Sequence, residues 1–213
     1  MTFDTLAGPL GALLIGYLLG SIPFGVLLTR ATGAGDLRAI GSGNIGATNV
    51  LRTGRKGLAA LTLLLDAAKG AAAILIVRLV FPDEPQLDPL AAFGALIGHL
   101  YPLWLRFRGG KGVATFLGIL AALHWQIALA AAAVWLLMLA LTRYSSLAGM
   151  VMALSAPVVA ALLGRFDLAL LLFGFALLIV WKHRANLERL MSGSEPRVGS
   201  RGTEPAEAGA ADA

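Results

Sequence analysis

Val113-Ala-Thr-Phe-Leu-Gly-Ile-Leu-Ala-Ala-Leu123, followed by His124-Trp125-Gln126, decides how this chain is threaded. The run is apolar but far short of the ~20 residues a membrane helix needs, and it ends on a polar interruption. If Val113 to Leu141 were one helix, the basic residues around Arg30 to Lys56 and Arg106 to Lys111 would face one side. Arg143 and Lys182 to Arg189 would face the other. If the chain turns at His124, all of these cations fall on one side, together with Arg143, and Arg165 alone is left opposite. The opposite side then collects Asp4, Asp83, Glu84, Asp88 and Asp167. Lys/Arg bias assigns the basic side to the cytoplasm, so the turn is the preferred reading.

The flanking sequence makes a membrane setting the natural one. Of 213 residues, 58% are apolar and 14% charged, against roughly half and a quarter in soluble domains. Six further runs read as spans: Leu6 to Thr29, Leu58 to Phe81, Pro89 to Leu105, Trp125 to Leu141, Ser146 to Leu163 and Leu168 to Trp181. The expected fold is all-α, a polytopic membrane bundle of about seven spans, with the N-terminus outside and the C-terminus cytoplasmic. The first run follows Asp4 rather than a basic region and has no Ala-x-Ala site after it, so it reads as a retained span rather than a signal peptide. Residues 1–191 read as one catalytic membrane domain, and residues 192–213, polar and rich in Gly, Glu and Ala, as a disordered cytoplasmic tail.

The short run also positions chemistry. A helix of ~11 residues rises only about 16 Å, so its Gly-rich start and Lys111 are expected to sit recessed in the interface. A recessed positive helix end suits an anion. Three polar segments reach the same face: Gly41 to Arg55, Arg106 to Gly112 and Lys182 to Glu195.

Gly41-Ser42-Gly43-Asn44-Ile45-Gly46 satisfies G-x-G-x-x-G, and Asp66 lies 20 residues beyond Gly46. The dinucleotide reading fails nonetheless, because it requires a strand before the loop, and here a membrane span precedes it. What remains is a loop whose backbone N–H groups can approach an oxyanion, with Ser42, Asn44, Thr48 and Asn49 as further donors and Arg52 as the charge. In isolation such a loop would be an ordinary flexible connector. Beside two other basic loops it reads as a site.

Arg106-Phe-Arg-Gly-Gly-Lys-Gly112 fails as a Walker A loop, since Gly112 stands where a magnesium-binding Ser or Thr is required. Positive-inside anchoring explains Arg106 and Arg108 but not three glycines around Lys111. The third segment is expected to continue the last helix, which would put His183 and Asn186 on one face. Scattered histidines give no metal spacing, His99 and His124 read as structural, and the chain has no cysteine, so no metal or thiolate site is expected. Asp66 and Lys69, three apart within a span, read as an interior pair, and Arg78 as a snorkelling residue. The net charge of +5 flanks apolar runs rather than forming a solvated stripe, which points to anionic lipid and substrates instead of nucleic acid.

Five segments, in order and spacing, resemble the bacterial membrane glycerol-3-phosphate acyltransferases that use acyl phosphate. They are Gly-Ser-Ile-Pro-Phe-Gly at 20–25, Gly-Ser-Gly-Asn-Ile-Gly-Ala-Thr-Asn-Val-Leu-Arg at 41–52 and Gly-His-Leu-Tyr-Pro at 98–102. The others are Phe-Arg-Gly-Gly-Lys-Gly-Val-Ala-Thr at 107–115 and His-x-x-Asn-Leu-x-Arg-Leu-x-x-Gly-x-Glu at 183–195. The resemblance implies transfer of a fatty acyl group from acyl phosphate to the 1-position of sn-glycerol 3-phosphate, giving lysophosphatidic acid and phosphate, in the bacterial inner membrane and without a cofactor. It implies Ser42, Arg52, Lys111, His183 and Asn186 as catalytic residues. Gly41, Gly43, Asn44, Gly46, Thr48, Asn49, Gly109 and Gly110 would bind substrate, Glu195 would tie down the tail, and the enzyme would be a monomer. A transporter for a phosphorylated metabolite is the alternative, although no matching halves are visible in the chain.

Overall fold

Long apolar runs without water to satisfy the backbone must close their hydrogen bonds internally, which leaves the helix as the repeating element. The computed structural model describes residues 3–199, and no strand occurs among them. Ten α-helices follow in order: α1 (Phe3–Gly20), α2 (Phe24–Ala31), α3 (Ala47–Leu51), α4 (Lys56–Val80), α5 (Asp88–Leu100), α6 (Val113–Leu123), α7 (Trp125–Thr142), α8 (Ser145–Leu162), α9 (Phe166–Lys182) and α10 (Arg184–Met191). Four helical segments are long and apolar enough to cross a membrane, Leu6–Ala31, Lys56–Val80, Trp125–Thr142 and Ser145–Leu162, and a fifth results if α9 and α10 count as one broken span. Expected disorder at 200–213 lies outside the described residues.

The decisive stretch turns where the sequence suggests. His124 is extended (φ −162°, ψ 99°) between α6 and α7, so Val113 to Thr142 is not one helix.

Three expected spans are modified by local chemistry. Pro89 to Leu105 is not a continuous helix: α5 ends at Leu100, and a 3₁₀ turn covers Leu103–Leu105. Pro102 has no N–H to donate and disfavours helix at Tyr101. Pro23 likewise divides α1 from α2. The last helix does not run through to Leu190, because α9 and α10 meet at His183 with a bend of 61°. At the bend the Ile179 carbonyl meets both the His183 ring, at 2.8 Å, and the His183 backbone N–H, at 3.1 Å.

Glycine pairs set a close contact between α1 and α5. Gly16 and Gly20 on α1 face Ala91 and Ala95 on α5, while Gly94 and Gly98 return the contact to Leu13 and Tyr17. A Cβ at any of the four would run into backbone. The matching order of these contacts makes α1 and α5 parallel. Small residues four apart let membrane helices approach backbone to backbone, where dispersion replaces the missing hydrophobic drive. The apolar core between the helices includes Ile74, Leu96, Phe116, Ile127, Met152 and Phe175, all essentially inaccessible.

The interior pair forms as expected, with Lys69 Nζ at 2.6 Å from Asp66. Lys69 also donates to the Ile22 carbonyl at 2.7 Å, so it ties α4 to the break between α1 and α2. Arg78 does more than snorkel: its Nε and Nη2 grip Asp88 Oδ2 at 2.9 and 2.7 Å, clamping the end of α4 to the start of α5.

Candidate active site

At the end of the bundle opposite the Arg78–Asp88 clamp, the three polar segments enclose a cavity of about 100 Å³. Its lining includes Ser42, Asn44, Gly46, Thr48, Asn49 and Arg52 from the first segment, Lys111 from the second, and His183 and Asn186 from the third. Residues scattered over more than 140 positions of sequence thus share one space.

The first segment is held by Asn49. Its Nδ2 donates to the Leu37 and Ile40 carbonyls at 2.8 and 3.0 Å, and its Oδ1 accepts from the Ser42 N–H and Arg52 Nη1, both at 3.3 Å. Asn49 is buried and saturated by these contacts, so it shapes the loop and orients Arg52. Gly41 and Gly43 turn this loop with φ of +55° and +66°, values that favour glycine. Gly25 on α2 has the Ile45 carbonyl where a Cβ would stand, which seats the loop directly on the helix. Thr48 Oγ1 meets Ser145 Oγ at 2.8 Å.

Lys111 stands just before Gly112, the residue preceding α6, and donates to Asn186 Oδ1 at 2.5 Å. Asn186 Nδ2 donates in turn to Glu195 Oε1 at 2.6 Å. Glu195 is also bonded by Ser146 Oγ at 2.5 Å and by Arg189 Nε at 2.7 Å. Burial alone would raise the Glu195 carboxyl, but the hydrogen bonds from Ser146, Asn186 and Arg189 outweigh it and hold it below its ordinary value. The chain therefore runs from carboxylate through a neutral amide to the ammonium. Burial pushes Lys111 down to about 8. Glu195 partly opposes that shift, and the nearby Arg189, Arg52 and Lys182 add to it.

His183 is buried. Its burial dominates, with Lys111 also disfavouring a second proton, and the Ile179 bond and Glu195 do not compensate, so the ring is drawn down to about 4. A neutral ring whose Nδ1–H donates to Ile179 leaves Nε2 bare as an acceptor.

Not every expected site residue lines the cavity. Gly109 and Gly110 do not; their N–H groups bond the Leu100 and His99 carbonyls at 3.2 and 3.0 Å. Side chains there would collide with the His99 carbonyl and ring, so these glycines answer to packing of the loop on α5. Gly41 and Gly43 also lie outside it. Gly41 borders a larger neighbouring cavity of about 1070 Å³, shared with Ser42, Thr48 and Arg52 and edged by Lys56 and Arg189.

Other lining residues were not expected at the site. Ser146 reaches the cavity from the first turn of α8, and Trp135 and Asp66, the latter read as half of an interior pair, reach it from within α7 and α4. His99, read as structural, lines it while its Nδ1 meets Thr115 Oγ1 at 3.0 Å. The start of the expected tail returns as well, with Glu195 and Pro196 lining the wall.

The family described as glycerol-3-phosphate acyltransferase matches residues 10–193. A glycerol-3-phosphate acyltransferase of Mesorhizobium japonicum is 56% identical over 191 residues, covering 90% of this chain and 96% of the relative. One from Rhodopseudomonas palustris is 54% identical, covering 90% and 97%. Among solved structures, the glycerol 3-phosphate form of PlsY (YgiH), an integral membrane glycerol 3-phosphate acyltransferase, superposes with a TM-score of 0.84 at 37% identity, covering 90% of this chain and 96% of that one. Its lysophosphatidic acid form gives 0.82 at 36%.

Proposed function

We infer the reaction from one premise: this chain belongs to the glycerol-3-phosphate acyltransferase family. It is an acyltransferase of phospholipid synthesis in a membrane, acting on glycerol 3-phosphate. The acyl donor is acyl phosphate, and the fatty acyl group passes to the 1-position, giving lysophosphatidic acid and phosphate. The chain crosses the bacterial inner membrane seven times as a monomer, N-terminus outside and C-terminus inside. The turn at His124 supports that count, because it lets every segment of the site meet at one end of the bundle.

The single observation that carries the reading is the state of Lys111. Its ammonium is bonded to a neutral amide rather than a carboxylate, in a cavity shared with Arg52 and Ser42. Two phosphorylated substrates repel each other, and an ammonium not neutralised by direct contact can screen them both. Arg52 adds a forked donor, and the Ser42 hydroxyl and the N–H groups around Asn44 and Gly46 cradle phosphate oxygens. Asn186 orients Lys111, and His183 Nε2 accepts from the attacking hydroxyl.

A group at about 4 is a feeble base near neutrality, whereas a phosphate monoester with its second pKa near about 6 is a stronger one. The proton therefore passes to phosphate while His183 aligns the hydroxyl. Attack is direct, without an acyl-enzyme, and positioning of this kind can lower a barrier by up to ~7 to 11 kcal/mol.

Purified protein given palmitoyl phosphate or palmitoyl-CoA with glycerol 3-phosphate tests the donor. Phosphate release coupled to lysophosphatidic acid formation is expected with the first alone, and equal use of the thioester would refute it. Labelled acyl phosphate that left an acylated Ser42 would refute direct attack.

A further inference from the structure

The cavity lining divides by chemistry. Polar residues of both charge signs line it, Arg52 and Lys111 as well as Asp66 and Glu195, and Leu63 from α4, Val113 and Ala114 from α6, and Trp135 from α7 form an apolar part contributed by the helices. Trp135 sits seven residues before the end of α7 at Thr142, about 10 Å down the helix from the cavity's polar loops. Its Nε1 is buried and has no hydrogen-bond partner among the described residues. Trp104, by contrast, spends its N–H on the Ser21 carbonyl at 2.6 Å. A buried N–H left unmatched costs on the order of 1–3 kcal/mol, so such groups are uncommon and call for a reason.

We propose that Trp135 is a catalytic residue of the acyl transfer, its indole N–H donating to the acyl carbonyl oxygen. This rests on the reaction assigned above. The phosphates are matched to Arg52 and Lys111, which carry charge. The acyl carbonyl is neutral, is joined to a chain that belongs in hydrocarbon, and must lie where the polar loops give way to apolar helix. That is the position of Trp135 beside Leu63, Val113 and Ala114.

The chemistry gives the donor its purpose. The hydroxyl oxygen bonds to the acyl carbon while the carbonyl π pair moves onto the carbonyl oxygen. That pair returns as the bond from carbon to the phosphate oxygen breaks, and the hydroxyl proton leaves with the phosphate. Negative charge is thus transient on the carbonyl oxygen, and a fixed neutral donor in a dry setting binds it more strongly than the ground-state carbonyl.

Trp135→Phe separates this role from a structural one, because Phe keeps an aromatic body and deletes the N–H. With no partner to lose in the resting protein, the variant should melt in detergent at or above the wild-type temperature. Its kcat should fall about 10²-fold, with KM for both substrates within about twofold. A kcat within about threefold of wild type would overturn the proposal, as would a fall in melting temperature that accounts for the lost activity. Both proteins are assayed with palmitoyl phosphate and with palmitoyl-CoA. Wild type preferring the thioester would sink the donor assignment alone, since the same Phe comparison on that donor still reports the carbonyl contact.

Discussion

Two lysines of this chain are both withdrawn from bulk water, and their surroundings give them opposite uses. Lys69, within α4, is matched directly: Asp66 lies at 2.6 Å and the Ile22 carbonyl at 2.7 Å. Among the described residues Lys111 hydrogen-bonds the Asn186 amide alone, at 2.5 Å, and the Glu195 carboxylate stands one residue behind, itself held by Ser146, Asn186 and Arg189. A buried ammonium beside its counterion is a fastener, because its field is cancelled at contact. One that is oriented by an amide keeps its field for a ligand. The fold thus uses the same side chain to pin a broken helix and to hold a charge toward the cavity, where receiving phosphate is its proposed role.

The comparison can be broken first at Lys111. Lys111→Ala should lower kcat/KM by about 10³-fold while leaving the melting temperature in detergent nearly unchanged, and full activity would refute its role. Lys69→Met should do the reverse. Leaving Asp66 buried and unmatched should cost about 3–5 kcal/mol, read as a lower unfolding temperature, and adding Asp66→Asn should recover most of it. A Lys69→Met protein as stable as wild type would show that the pair fastens nothing.

Glu195→Gln sharpens the contrast by disturbing only the residue behind Asn186. An amide cannot accept from all three donors at once, so Asn186 should loosen and kcat should drop about tenfold, with Lys111→Ala showing no further dependence on position 195. The smallest effect is on pH. With Lys111 near 8, raising the pH removes its proton and its charge, so the rate should fall above about pH 8, by about tenfold per unit once the group is mostly neutral. In Lys111→Arg the guanidinium stays charged, and that alkaline limb should vanish even if the maximal rate is lower.

Much of this was legible in the residues because it depends on local rules. Apolar runs became helices, and the polar interruption at His124 became the turn that brings the cations together. Asp66 and Lys69 form a pair because three residues nearly close a helical turn. Breaks were less legible. Pro23 and Pro102 announce them in principle, but an apolar run carries on through both. The bend of 61° at His183 is one that no spacing rule anticipates. Gly109 and Gly110 were legible only in part: glycines in a basic loop suggest contact with phosphate, whereas the room they make for His99 is visible only in the fold.

The sequence by itself determined the solvent of this protein, its helical class and the three polar segments whose residues line the cavity, since hydropathy, glycine content and charge are properties of stretches. The tertiary structure alone decided which cation is cancelled and which stays available, because that depends on Asn186, on the helix beyond the bend, and Glu195, in the segment after that helix, arriving at Lys111. It alone also set an unmatched indole against the same cavity. Hydrogen bonds and contact ion pairs need separations of a few ångströms, and distances that short between residues far apart in the chain exist only after packing.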